Sequence, residues 1–202
     1  MNPLAPETLA PILDARPLLI AVAGPNGAGK STFYKTHLQE SGLPFVNADE
    51  FAMNFQLDPY AAAEFAEQVR REMVRQRKSF AFETVFSDPD GSKLDFLKGA
   101  AESGYTVVLF FVGIDSREKS ENRVGLRVMQ GGHDVPSDKL YQRFPRTMRN
   151  LKSAIALLPH VFVLDNSDLR APHLLVARFV HGKAIFPEDP LPPWFQAVLE
   201  GD

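Results

Sequence analysis

Nine consecutive residues, Gly24-Pro25-Asn26-Gly27-Ala28-Gly29-Lys30-Ser31-Thr32, constrain this chain more than any other stretch. They match the phosphate-loop pattern G-x-x-x-x-G-K-[ST] at every position. Upstream, Leu18 to Ala23 is a short apolar run of the kind a buried parallel strand shows. Downstream, Thr32 to Glu40 reads as a helix closed by Gly42, with Pro44 just beyond. Strand, glycine loop and helix form the setting in which the pattern has physical meaning. Backbone N–H groups turn inward around phosphate oxygens where side chains would collide, and the helix start adds unpaired donors and a positive dipole end. In that setting Lys30 reaches the β- and γ-phosphates and the Ser31 hydroxyl ligates Mg²⁺. The loop reads as the binding site of a nucleoside triphosphate.

The remainder alternates short strands with helices. A helix over Ala5 to Asp14 precedes the loop. Pro44 to Asp49 reads as a second strand ending in a carboxylate, and Asp58-Pro59 caps a helix running to about Lys78. On that helix Arg70, Arg71, Arg75, Arg77 and Lys78 read as a solvated face. Ser79 to Thr84 is a third strand, and Ser92 with Asp95 resembles a capping box opening a helix that stops at Gly104. Tyr105 to Val112, the most apolar run, is assigned to a central strand. Asp115 or Ser116 caps a helix ending near Gly131-Gly132. A further helix covers Ser137 to Leu158, where Leu140, Phe144, Met148, Leu151, Ile155 and Leu158 mark one buried face. Pro145 within it requires a kink or a new start. Val161 to Asp165 is the fifth strand, Leu174 to Val180 and Ala184 to Phe186 form an edge hairpin, and a short helix spans Trp194 to Leu199. This order predicts a three-layer α/β fold with a mainly parallel five-stranded sheet, helices on both faces, and one domain over residues 1–202. Ligands in such sheets bind beyond the carboxyl ends of the strands, so the loop, Asp49, Glu83 and Asp165 share one rim.

Composition narrows the class. The chain has no cysteine, which excludes disulfides, thiolate metal sites and a cysteine nucleophile. No apolar run approaches the roughly 20 residues of a membrane span, and the first sixteen residues do not read as a signal peptide, so a cytoplasmic location is expected. Net charge is −3, which argues against wholesale nucleic-acid binding. Arg117 to Lys152, however, holds nine Lys/Arg and four Asp/Glu, a local +5 against −8 elsewhere. A concentrated cationic segment on an acidic chain suits a small polyanion.

Three uses of a phosphate loop compete. A GTP switch would carry an Asn-Lys-x-Asp segment, which is absent. A motor ATPase would carry an acid on a neighbouring strand; Asp165 and Glu83 are formal candidates, without the accompanying motifs. A small-molecule kinase needs a carboxylate near the acceptor hydroxyl and cations over the γ-phosphate. Arg123 and Arg127 lie four apart on one helix, and Arg143 and Arg146 begin the returning one. Between them Gly131-Gly132-His133-Asp134-Val135-Pro136 forms a bend. This is the layout of a lid over about residues 117–152, although an ordinary charged helical hairpin would look the same from sequence.

In their order, the loop, Val46-Asn47-Ala48-Asp49, Glu83-Thr84, Arg123-Val124 with Arg127, Gly131-Gly132-His133 and Asp165-Asn166-Ser167 resemble the zeta-toxin-like P-loop kinases over roughly residues 17–167. The resemblance implies a nucleoside- or shikimate-kinase-like core with a lid, ATP or another triphosphate with Mg²⁺, and transfer of the γ-phosphate to a hydroxyl. Toxins of the family phosphorylate UDP-N-acetylglucosamine, and an antitoxin is a candidate partner. Carried over by position, Lys30 is the loop lysine, Asp49 the general base and a second candidate for Mg²⁺, and Arg127 and Arg143 the lid arginines. Arg123 and Asn166 fall on the nucleotide side; Asn47, Glu83, Thr84, His133 and Arg146 fall on the acceptor side. One departure is plain: the toxins commonly carry an arginine shortly after the acid, whereas Asp49 is followed by Glu50-Phe51-Ala52. The remaining alternative is a P-loop NTPase or nucleotide-binding regulator with no phosphoryl acceptor.

Overall fold

The apolar runs form the buried strands that their composition requires. A computed structural model describes residues 6–129, 135–187 and 190–201. In chain order the elements are α1 (Pro6–Leu13), β1 (Leu18–Ala23), α2 (Lys30–Phe33), β2 (Phe45–Val46), α3 (Ala48–Phe55), α4 (Pro59–Arg75), β3 (Phe80–Thr84), α5 (Ser92–Glu102), β4 (Thr106–Gly113), α6 (Arg117–Met129), α7 (Ser137–Leu157), β5 (His160–Asp165), β6 (Leu174–Val180), β7 (Lys183–Pro187) and α8 (Pro193–Glu200). Helix α2 continues through a π-helical turn, Tyr34–Leu38, and a 3₁₀ turn, Gln39–Ser41, to left-handed Gly42.

One sheet carries all strands in the order β2-β3-β1-β4-β5-β6-β7. The first five are parallel; β6 and β7 run antiparallel. The expected five-stranded sheet is therefore seven-stranded, because the hairpin pairs with β5 and extends the sheet. Strand alternation splits the core in two. Leu19, Ala21, Phe80, Phe82, Leu109, Phe111 and Val163 face Leu97, Leu151, Ala154, Trp194 and Phe195. Ile20, Val22, Phe110, Val112, Phe162 and Leu164 face Leu9, Ile12, Phe33 and Leu38. Helices α4, α5, α7 and α8 thus cover one face and α1 with α2 the other, giving the three layers.

Local details differ from the sequence reading. Pro44–Asp49 is not a continuous strand: β2 is two residues long, and the Asn47 side chain accepts the Asp49 N–H at 2.9 Å, starting α3. Asp49 accordingly lies in the first turn of a helix. Ser92 is not a cap either. Left-handed Gly91 precedes α5, and the free N–H groups of Ser92 and Lys93 are taken by Asp90 and Asp88. Helix α7 runs through Pro145 without restarting, with the Thr147 hydroxyl donating to Arg143 O and Arg146 Nε to Gln142 O beside it. The Gly131-Gly132-His133 bend lies outside the described residues.

Candidate active site

Strand β1 delivers the chain into the loop, where two glycines are compelled by space. A Cβ on Gly24 would sit 2.1 Å from Val112 O, and one on Gly29, with φ 92, would meet the Asn166 amide at 2.5 Å. The loop is fastened from two sides. Ser120 Oγ on α6 donates to Asn26 O at 2.7 Å, and Asn166 Nδ2 donates to Ala28 O at 2.7 Å. Asn166 in turn accepts from His173 N. Its amide is thus committed to holding the loop.

Lys30 is buried, and its ammonium donates to Pro25 O at 3.0 Å. Glu83, at the carboxyl end of β3, faces it at 3.7 Å through Oε1, while Ser31 Oγ donates to Glu83 Oε2 at 2.8 Å. Burial pushes the Lys30 pKa below its ordinary range; the Glu83 and Asp49 carboxylates oppose that shift and the Arg127 charge adds to it. Asn47 Nδ2 lies 3.4 Å from Glu83 Oε2. Glu83 is therefore the carboxylate that meets both the loop lysine and the loop serine.

These residues suit a triphosphate with Mg²⁺. Ser31 with Glu83 offers the hydroxyl and carboxylate oxygens that Mg²⁺ favours. No cluster of three or more His, Cys, Asp or Glu exists among the described residues. A Mg²⁺ site completed by phosphate oxygens and water does not require one.

Beside the loop opens a cleft of about 620 Å³. Its floor is Lys30, Asn47, Asp49, Glu83 and Thr84; one wall is α4 with Tyr60, Glu64, Glu67 and Arg70; the other brings Arg127 from α6 and Lys139 and Arg143 from α7. The fold thus gathers Lys30, Asp49, Glu83, Thr84, Asn47, Arg127 and Arg143 around one space. Lys139 Nζ donates to Tyr60 Oη across the cleft and sits 5.0 Å from the Tyr60 ring centroid. Thr84 Oγ1 accepts from Phe86 N, which is left-handed with φ 61. That strained loop is clamped by α7: Thr147 donates to Val85 O, and Asn150 donates to Phe86 O and Asp88 O.

Other expected residues lie elsewhere. Arg123 donates to Ser167 O at 3.2 Å, tying α6 to the segment after β5. Arg146 turns back onto its own helix and does not line the cleft, nor does Thr32. Asp165, the formal alternative acid, accepts from Ser167 and from Trp194 Nε1 and is held in the scaffold. His133 lies outside the described residues.

Arg70 is the residue the sequence reading misplaced. It is 7% exposed, not on the solvated face. The signal was available: Ala62, Ala66 and Arg70 recur every four residues, so the arginine continues a buried stripe of small residues.

Among the described residues no helix is long and apolar enough to cross a membrane. Comparison with known proteins agrees with the geometry. The family model described as Zeta toxin matches residues 8–171. An uncharacterised protein of Haemophilus influenzae is 29% identical over 130 residues, covering 62% of this chain and 91% of its own. Among solved structures, the AvrRxo1-ORF1:AvrRxo1-ORF2 complex with sulphate ions aligns with a TM-score of 0.72 at 17% identity, over 95% of this chain and 67% of that one. The same pair with ATP aligns at 0.67 and 18% identity, over 88% and 63%. A structure of the PezAT chromosomal toxin–antitoxin system of Streptococcus pneumoniae aligns at 0.56 and 13% identity, over 100% and 89%. At these identities the structural likeness is one of fold.

Proposed function

The chain belongs to the zeta-toxin family, and from that premise we propose that it is a kinase that uses ATP and Mg²⁺ to phosphorylate a hydroxyl of a small molecule. The observation that carries the reading is the cleft beside the phosphate loop, which joins Lys30 and Glu83 to Asp49 on one side and to Arg127 and Arg143 on the other.

In this reading the loop N–H groups and Lys30 hold the β- and γ-phosphates, and Ser31 with Glu83 would hold the metal. Held there, the metal would supply positive charge that offsets the negative charge developing on the phosphates during transfer. Asp49 orients the acceptor hydroxyl and takes its proton as the new bond to the γ-phosphorus forms, while the bond from that phosphorus to the β–γ bridging oxygen breaks and ADP leaves. Arg127 and Arg143, on a lid of α6 and α7, stabilise the transferred phosphoryl group and exclude water. Thr84 and Asn47 line the acceptor side, whereas Asn166 acts through the loop it holds and Arg123 through the Ser167 segment beside it. UDP-N-acetylglucosamine is the first acceptor to try, on the strength of the family's toxins. An antitoxin is the partner to seek, since one protein of similar fold is described as part of a chromosomal toxin–antitoxin system. A cytoplasmic location accords with the need for ATP.

The test is a screen of hydroxyl acceptors with γ-labelled ATP, opened with UDP-N-acetylglucosamine and continued through nucleosides and sugars. Lys30→Ala is expected to abolish labelling. Release of free phosphate with no labelled acceptor would instead favour the NTPase reading, and near-normal turnover by Lys30→Ala would overturn the site.

A further inference from the structure

Building on the kinase reading, we propose that Arg70 is an acceptor-specificity residue. It binds an anionic group, phosphate or carboxylate, carried by the molecule whose hydroxyl is phosphorylated.

The side chain lies within the α4 wall of the cleft, more than nine-tenths buried, its guanidinium carbon 5.0 Å from the Phe82 ring centroid. No hydrogen bond or ion pair engages it among the described residues. Glu67, one turn earlier, is within helical reach, but its carboxylate is occupied by Arg71, whose Nε and Nη2 donate to it at 3.0 and 2.6 Å. A guanidinium has five N–H donors and cannot neutralise itself by losing a proton. No Arg70 nitrogen is both sealed from solvent and unpartnered, so its donors open onto the cleft, where the acceptor atoms of a ligand can complete them. The cation–π contact with Phe82 holds the guanidinium against the sheet at the cleft wall, where a bidentate acceptor suits its fork.

The neighbourhood supports an anion in particular. Lys93 and Ser87 line the same cleft, and the Lys93 ammonium is only loosely held, 3.8 Å from Asp88 Oδ1. Lys139 and Arg143 enter from the opposite wall. A neutral polyol would satisfy Arg70 with weaker acceptors, while a planar carboxylate or a phosphate face matches its two parallel donors. Arg70 and Asp49 stand on different helices around one cleft. A single acceptor thus presents its hydroxyl to Asp49 and its charged end to Arg70.

Calorimetric titration in saturating ADP and Mg²⁺ tests this, because ADP occupies the phosphate loop and leaves only the cleft for a second anion. The probes are matched pairs: UDP-N-acetylglucosamine against N-acetylglucosamine, glucose 6-phosphate against glucose, and glucuronate against glucose. At least one anionic member is expected to bind tenfold or more tighter than its neutral partner. Arg70→Met should erase that preference, on the order of a ten- to hundredfold loss, with ADP affinity and melting temperature retained. Arg70→Lys should keep part of a phosphate preference and lose a carboxylate one. Equal binding of charged and neutral members, no anionic probe binding at millimolar concentration, or a preference that survives in Arg70→Met would each overturn the proposal. Failure of the kinase reading itself would appear separately in the unaltered protein, as absent ADP binding or as free phosphate released from γ-labelled ATP with no acceptor labelled.

Discussion

At the scale of single residues, two carboxylates share the floor of the cleft, and their surroundings separate their roles. Glu83 is drawn to the loop by Ser31 and by Lys30, which in the proposed reading commits its charge to the phosphates and metal. Asp49 sits in the first turn of α3 with its N–H held by Asn47 and its carboxylate toward the cleft. Asp49→Asn is nearly isosteric but cannot take a proton, so phosphorylation should fall by roughly 10²–10⁴ with ATP affinity close to normal. Glu83→Gln should instead weaken Mg²⁺-dependent nucleotide binding, because it removes a charge beside Ser31. Separate measurement of kcat and ATP affinity in the two variants checks the division; an active Asp49→Asn beside a dead Glu83→Gln would exchange the roles. Charge type alone misleads at this scale. By charge type Arg70 groups with its solvated neighbours, and only its phase with Ala62 and Ala66 reveals that it turns inward.

At the scale of elements, α7 joins three tasks along one length. Its first turns bring Lys139 and Arg143 to the cleft, its middle clamps the Phe86 loop through Thr147 and Asn150, and Leu151, Ala154 and Ile155 anchor the rest in the core. Helix α6 contributes Arg127 to the cleft while Ser120 fastens the loop. If the two arginines act on the transferred group, Arg127→Ala and Arg143→Ala should each lower kcat on the order of 10³-fold, with a smaller change in ATP affinity. Losses confined to binding would reduce them to ground-state contacts. Much of this level was legible in the sequence. The loop, β1 and α2 follow from a motif whose geometry admits little else, and β4 follows from its unbroken apolar run. Helix α3 was not legible: none of its residues is fully buried, so no apolar stripe announced it, and the capping by Asn47 is a local choice that strand propensity conceals. The seven-stranded sheet was likewise hidden, because pairing of the hairpin with β5 depends on partners distant in the chain.

At the scale of the whole molecule, stability is tied to pH through three imidazoles, of which His173 is buried and His160 half-buried. His173, under the phosphate loop beside His37 and Phe33, has its pKa lowered from 6.5, first by burial and then by the His37 charge. His37 and His160 are lowered as well, chiefly by burial. All three are therefore neutral in the fold at a pH where the unfolded chain already binds protons. The unfolded state gains protons first, so stability holds above about pH 6.5 and is lost as pH falls through and below that value. Melting temperatures from about pH 7.5 to about pH 5.5 should decline, and His173→Phe should flatten the decline. A flat profile in the unaltered chain would contradict the assignment. The sheet margins carry a different consequence. One border is β2, only two residues long; the other is β7, bracketed by Lys183 and Pro187 and set against a register shift between Arg178 and Phe179. Neither offers a long flat row of free N–H and C=O groups to template an incoming chain. Recognition of this protein by a partner is therefore expected to run through the side chains of its helices and loops more than through a lent strand.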